Sequence, residues 1–70
     1  MINVAFEFDE SQTVELMVTD VIGQQMQRIN AQQYRTDNLQ IDLNGYANGI
    51  YYLVFYIDGL KVVKKVVKMN

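Results

Sequence analysis

The side chains that most often carry out chemistry in proteins are scarce in this chain. It has no cysteine and no histidine, which removes the common base of nucleophilic catalysis and the common ligands of zinc and haem. Ser11 is the only serine, and it follows the adjacent carboxylates Asp9 and Glu10 in a polar stretch that is typical of a solvated turn. We therefore predict no catalytic residue, no cofactor and no enzymatic activity.

Calcium needs only oxygen ligands, and the middle of the chain has several of them. The candidates are Asp37, Asn38, Asp42, Asn44 and Asn48. Their order does not follow the D-x-D-x-D-G pattern of a calcium-binding loop, and residues of these types commonly close turns. The sequence therefore predicts turns in this region and no metal site.

Strands must position these residues, because apolar and polar side chains alternate with a period of two along much of the chain. The first segments with this pattern are residues 2–8, 13–19, 25–31 and 39–43. Val14, Leu16 and Val18 are predicted to face the core from the second segment. In the third, Met26 is predicted to face inward, and Ile29 is out of phase with it, which indicates a bulge.

Polar stretches and glycines mark the connections between these strands. The predicted connections are a turn at residues 9–11, a turn at 20–24, a loop at 32–38, a turn at 44–45 and a hairpin at 58–59. Gly23 supplies a residue that is free to take a positive φ. Asp58-Gly59 predicts a two-residue type I′ turn, in which both residues take positive φ. Gly49 is predicted to let the chain enter the next strand without strain at Cβ.

That next strand, predicted over residues 50–57, is apolar on both of its faces. Alternation divides it into Tyr51, Leu53, Phe55 and Ile57 on one face and Ile50, Tyr52, Val54 and Tyr56 on the other. One face must belong to the core, and the other is either covered by a neighbouring element or exposed as an interaction surface. The residues alone leave both alternatives open.

The last ten residues allow two interpretations. Lys61, Lys64, Lys65 and Lys68 have the i, i+3, i+4, i+7 spacing of a helix face. The four valines among them disfavour a helix, because a helix restricts their χ1 rotamers. The preceding hairpin also returns the chain along the strand before it. We predict a strand from residue 60 to about 69, with a bulge near Lys64-Lys65 that accounts for the spacing.

These elements predict one all-β domain over residues 1–70, a small antiparallel immunoglobulin-like β-sandwich of about six strands. Its charge is unevenly placed, although the net charge is only −2: acidic residues are concentrated in the first third and lysines at the end. This asymmetry predicts oriented docking rather than nucleic-acid binding. We find no apolar run long enough for a membrane span and no N-terminal signal peptide. If the protein is exported, these residues are therefore a fragment of something larger, or the export information lies elsewhere in the chain.

Four segments that occur in a fixed order carry a resemblance to a known family. They are VELMVTDVIGQ, with Asp20 and Gly23; LQIDL; NGIYYL, with Gly49, Ile50 and Tyr51; and KKVVK near the C terminus. From residue 14 to residue 70 the chain resembles the C-terminal sorting domain of the type IX secretion system (the Por secretion system tail) of Bacteroidetes. Each segment is weak evidence alone, but four in register are fairly specific.

The resemblance implies a secretion signal linked to an upstream cargo domain. Its implied partners are the type IX translocon, which moves the cargo from the periplasm across the outer membrane of a Gram-negative bacterium, and a sortase-like protease that then removes the signal. The cargo would be secreted or held at the cell surface. We expect Lys64, Lys65 and Lys68 to form a cationic ridge that the machinery recognises. The alternative is that these lysines only protect an edge strand from aggregation.

One feature of the family is missing. Its members commonly open with a P-N-P element ahead of the first strand, and this chain has no proline. We therefore expect the domain to be truncated at its N terminus, to lack the first strand and to expose an unpaired edge. An exposed edge predicts a homodimer formed by edge pairing or strand exchange.

Two other functions compete with sorting. One is an immunoglobulin-like or fibronectin-like accessory module of an extracellular hydrolase, which would bind carbohydrate or act as a spacer. A carbohydrate-binding surface should present an exposed Trp or Tyr platform, but tryptophan is absent and the tyrosines concentrate on a strand predicted to be central. The other is a designed or phage-type β-sandwich oligomerisation module.

Overall fold

The protein is described by a computed structural model over residues 2–69, in which every regular element is a strand. The strands are β1 (Ile2–Thr19), β2 (Gln25–Ile41), β3 (Gly49–Ile57) and β4 (Leu60–Lys68). They form one antiparallel sheet in the order β2-β1-β3-β4, which confirms the all-β antiparallel fold class. Within this part of the chain no helix is long and apolar enough to cross a membrane. Met1 and Asn70, the ends of the predicted domain, lie outside the described residues.

The structure has four strands rather than about six, because β1 and β2 each merge two predicted elements. The turn predicted at residues 9–11 and the loop predicted at 32–38 are wrong, since both segments lie inside strands. Residues 9–11 lie in the register shift between Glu7 and Gln12, and residues 32–34 and 36–38 pair with β1 on either side of that shift. Their polar side chains therefore mark an irregularity within a long ribbon and not the end of a strand.

This irregularity separates two parts of the β1–β2 ribbon. Residues 14–19 lie between β2 and β3, whereas residues 2–7 pair with β2 residues 36–41 and with no further strand of the described chain. We call this second part, residues 2–7 with 36–41, the ribbon arm. Phe6 and Ile41 of the arm share a buried cluster with Phe55 of β3, so the arm packs over one face of the sheet, which we call the inner face. A sandwich of two separate sheets stays a prediction.

The core forms between the inner face and the ribbon arm. Val14, Leu16 and Val18 are each 1% exposed, which confirms the predicted alternation in β1. The ring of Phe6 lies 4.8 Å from that of Tyr34 and 6.1 Å from that of Phe55, measured between centroids. Aromatic pairs at such distances stabilise a fold beyond the area that they bury. Phe6 is therefore a main contact, with Ile41, between the arm and the sheet.

The start of β2 differs in part from the prediction. Met26 is exposed, so its inward assignment is wrong. Ile29 is the residue that lies opposite Leu16 and packs on the core. Register shifts fall on both sides of it, between Val14 and Leu16 and again between Val18 and Thr19, and these confirm the bulge predicted from Ile29.

The turns predicted at residues 20–24 and 58–59 are confirmed by their backbone angles. Gly23 has a φ of 86°, and the carboxylate of Asp20 accepts hydrogen bonds from the backbone N–H groups of Ile22 and Gln24 at 3.0 and 2.8 Å. At the β3–β4 hairpin, Asp58 and Gly59 have φ values of 47° and 85°. Two successive positive φ angles are what a type I′ turn requires.

The last segment is a strand, as predicted, but it has no bulge. Its pairing with β3 runs without a shift from Gly49 opposite Lys68 to Ile57 opposite Leu60. The bulge predicted near Lys64-Lys65 is therefore wrong. The helix-like spacing of the lysines arises because they are divided between the two faces of a regular strand.

Candidate recognition surface on the last strand

β4 is an edge of the sheet, and its edge has a defined set of free backbone groups. It pairs with β3 on one side and with no strand of residues 2–69 on the other. In a two-residue hairpin the residues that flank the turn form a hydrogen-bonded pair, and bonded and non-bonded pairs then alternate. Residues 61, 63, 65 and 67 consequently direct their backbone N–H and C=O groups away from β3. This is the geometry that accepts an added strand.

The three lysines of the predicted ridge do not lie on one face. Lys64 pairs with Leu53 of the core, and Lys65 pairs with Tyr52 on the opposite, outer face. Lys68 has the same parity as Lys64 and shares its face. Lys64 and Lys65 are exposed, whereas Lys68 is half-buried. Of these three lysines, Lys64 is therefore exposed on the inner face and Lys65 on the outer face, so they do not form a single ridge.

Lys68 is engaged within the protein. Its Nζ donates a hydrogen bond of 2.7 Å to the backbone carbonyl of Tyr46, in the loop that precedes β3. The hydroxyl of Tyr46 lies 3.3 Å from the carbonyl oxygen of Met26 and 3.2 Å from Oε1 of Gln27, either of which can accept its proton. Lys68 and Tyr46 together tie the end of β4 and the start of β2 to this loop. Sequence analysis missed Tyr46, and a large aromatic side chain in a polar loop was the available signal.

Tyr51 also contacts the loop that precedes β3. Its hydroxyl donates a 2.6 Å hydrogen bond to the carbonyl of Ala47, and its ring lies 5.5 Å from the ring of Tyr46. Tyr51 is 6% exposed. It is a core residue with a polar contact at its tip, as expected for a buried tyrosine.

Three of the four segments that carry the family resemblance have residues at one end of the sheet. Thr19, next to the Asp20 turn, pairs with Tyr52, and Gly49 pairs with Lys68. The β1–β2 turn, the start of β3 and the end of β4 therefore meet there. Gly49 has a φ of 152° at the first position of β3, an angle that favours glycine. Ile50, beside it, is half-buried.

The outer face of β3 is not covered by another element of the described chain. Val54 is buried at 7%, but Tyr52 and Tyr56 are half-exposed. Beside them on β4, Val63 and Val67 are 49% and 58% exposed. Of the two alternatives left open by the sequence, the structure supports an exposed, largely apolar face.

Two of the oxygen-rich side chains accept hydrogen bonds from nearby backbone, Asp42 just after β2 and Asp37 within β2. The carboxylate of Asp42 accepts a hydrogen bond from the backbone N–H of Asn44 at 2.8 Å, and that of Asp37 accepts one from Arg35 at 2.9 Å. Residues 2–69 contain no group of three or more acidic, histidine or cysteine side chains placed to hold a metal ion. Ser11 is exposed within β1.

Comparison with known proteins gives one match. A family described as the secretion system C-terminal sorting domain matches residues 1–69. No curated protein and no solved structure matches the chain. The matched family is the one that the four sequence segments resemble, so that recognition is confirmed.

Proposed function

This chain belongs to the family of secretion system C-terminal sorting domains, and from this membership we propose that it directs a covalently linked upstream cargo through the type IX translocon and is then cut off by a sortase-like protease. Membership itself identifies a C-terminal sorting signal for type IX secretion. That system exports its cargo across the outer membrane of Bacteroidetes to the cell surface or the medium. Removal of the signal and the residues that the machinery contacts are the further parts of the proposal.

The observation that carries the proposal is the extent of the family match. It covers residues 1–69 and so includes all four strands. This extent supports assigning sorting to the folded unit rather than to one short motif. What a receptor would meet on this unit is the free edge of β4, with four outward-facing backbone positions, and the exposed lysines Lys64 and Lys65 beside it.

We assign recognition to Lys64, Lys65 and Lys68 in unequal parts. Lys64 and Lys65 are free to contact an acidic receptor surface, and charge complementarity of this kind speeds encounter and fixes orientation. Lys68 contributes by holding the end of β4 against the loop, because its ammonium group already donates to Tyr46. Strand addition to the edge would then supply the main-chain contacts.

The direct test is a fusion of this domain to the C terminus of a periplasmic reporter in a bacterium with a type IX system. We expect the reporter to reach the surface or the medium and to lose the domain on the way. A matched strain without the translocon should retain the reporter in the periplasm. Retention in both strains would refute the sorting function, whereas export of an uncut fusion would refute only the cleavage step.

Two earlier hypotheses keep a specific test. The half-exposed Tyr52 and Tyr56 on the outer face are the residues that a carbohydrate-binding module would use, and glycan titration followed at their NMR signals would detect it. Homodimer formation through the edge strands β2 or β4 also stays a prediction. Sedimentation at high micromolar concentration checks it, because a monomer under those conditions contradicts it.

A further inference from the structure

A groove of about 620 Å³ lies between the ribbon arm and the inner faces of β3 and β4. Residues 2–8 of β1 form one wall. Phe55 and Leu53 lie between that wall and β4, which contributes Val62 and Lys64. The groove is mostly apolar and has the size of a ligand-binding cleft. It is separate from the free edge of β4 described above, which points away from β3 on the far side of the strand.

One wall of this groove is an unpaired strand edge. Residues 2–7 form a ladder with β2 and with no other strand of the described chain. The N–H and C=O groups that point away from β2 are therefore open along the groove. An extended polypeptide placed there would pair with them, and its alternate side chains would point at the apolar floor.

The width of the groove suits one strand. The arm has two strands, and the sheet under it has four. The β1 part of the arm lies over β3, because Phe6 packs against Phe55. A strand added beside it, at the usual spacing of about 4.8 Å, would lie over β4. There it would cover Val62, which is 37% exposed on the face that points to the groove.

Antiparallel edge-to-edge pairing of two arms does not fit this place. It would put the partner's arm over β4 of the first copy, with both sheets on the same side of the arms. The partner's own β3 must lie beneath its arm, and that space is already filled by β4. A single extended segment without a sheet of its own at that position avoids this clash.

We propose that this groove binds an extended segment of another protein, added as a strand to residues 2–7. The segment has alternating apolar side chains that face Leu53, Phe55 and Val62, and an acidic side chain that pairs with Lys64. The unpaired backbone groups of residues 2–7 favour an extended chain. The apolar side chains of the groove favour alternating apolar residues in that chain, and Lys64 favours an acidic one.

A synthetic peptide with the sequence DTVTVTD has the required pattern, with its aspartates and valines on one face. We expect titration of the peptide into the isotope-labelled protein to shift the amide signals of residues 2–8 and to slow their hydrogen exchange about tenfold or more. The peptide DVVTTTD has the same composition but broken alternation, and it should bind about tenfold more weakly.

Neighbouring valines on β4 provide matched variants. Val62→Lys places a charge in the groove and should weaken DTVTVTD binding about tenfold, while Val63→Lys, on the opposite face, should leave it within about twofold. Lys64→Glu should weaken DTVTVTD about threefold and favour the charge-reversed peptide KTVTVTK instead.

Three results would overturn the proposal. One is equal binding of the two peptides of identical composition. Another is a set of shifts confined to the outer edge of β4. The third is protection of the amides of residues 2–8 before any peptide is added, in the domain alone or in its reporter fusion, because that would assign the groove to a second copy or to a neighbouring segment of the same chain.

Discussion

Lys64 and Lys65 place positive charge on both sides of the free edge of β4. Both side chains are exposed, and attraction to an acidic receptor would act before any strand pairing forms. The double variant Lys64→Ala, Lys65→Ala should slow export of a fused reporter about tenfold. Its free energy of unfolding should change by no more than about 0.5 kcal/mol, because exposed charges contribute little to stability.

The control for this prediction removes two cations from another strand. Arg28 and Arg35 lie on β2, and Arg28 forms a surface ion pair of 3.2 Å with Glu15. The variant Arg28→Ala, Arg35→Ala should be exported at the wild-type rate. Equal slowing by both double variants would show that net charge matters and not the position of the lysines on β4.

Lys68 differs from these two lysines because its ammonium group has a partner. The variant Lys68→Met keeps much of the side-chain length and removes the hydrogen bond to the carbonyl of Tyr46. We expect the free energy of unfolding to fall by about 1 kcal/mol, measured by urea denaturation. Lys65→Met is the matched control and should leave the urea midpoint unchanged; an equal fall in both would contradict the role given to Lys68.

Single residues were predictable where their role depends on local backbone geometry. Gly23, Asp58 and Gly59 take the positive φ angles that their turns require. The contact between Lys68 and Tyr46 was not predictable, because it joins residues 22 positions apart. The Asp58-Gly59 turn sets the register that brings the end of β4 beside the start of β3, but no local pattern places the Tyr46 carbonyl within reach of the Lys68 ammonium group.

The β3–β4 hairpin offers a test in which adjacent substitutions have opposite effects. Val63 directs its N–H away from β3, so Val63→Pro should remove an edge donor and leave the hairpin bonds in place. We expect this variant to fold, by circular dichroism, and to lose export of a fused reporter. Val62→Pro removes a hydrogen bond inside the ladder and should unfold the hairpin.

The comparison of the two proline variants separates strand capture from folding. A folded Val63→Pro protein that is exported normally would refute strand addition at β4 and leave recognition to side chains. If Val62→Pro were as stable as Val63→Pro, the alternation of inward and outward backbone groups assigned to β4 would be wrong.

Whole elements were predictable where local chemistry and long-range pairing agree. β3 and β4 follow from alternation and from the Asp58-Gly59 turn. The segments at residues 9–11 and 32–38 were misassigned because they are polar. Residues 32–34 and 36–38 nevertheless pair with residues 12–14 and 5–7 of β1, and residues 9–11 lie in the register shift between these two stretches. The sequence showed where the β1–β2 ribbon is irregular, but it did not show that each strand continues through the irregularity.

At the scale of the whole molecule, the ribbon arm is what gives the sheet a covered face. A single sheet with one apolar face needs a second layer to bury it. The two strands of the arm provide that layer over β1 and β3, and their irregularity near residues 8–11 lets a continuous ribbon do so. The arm leaves the β4 side of the inner face open, which is why the same fold has both a core and a groove.

Because the edge of β4 exists only in the folded sheet, loss of the core should abolish sorting. Phe6→Ala removes a main contact between the arm and the sheet and should cost about 3–5 kcal/mol. A domain of 70 residues has a total stability of about 3–5 kcal/mol, so this variant should be largely unfolded. We expect its circular dichroism to lose the β signal and its reporter fusion to stay in the periplasm.

Phe8→Ala is the matched control, because Phe8 is half-buried and stacks on Phe6 at 5.7 Å. Its loss should cost less, about 1–2 kcal/mol, since less apolar surface leaves the core. The control should remain folded and be exported. If an unfolded Phe6→Ala fusion were exported as well as the control, the machinery would be reading the linear C-terminal sequence. That result would remove the folded edge of β4 as the recognised feature and leave the sorting function itself intact.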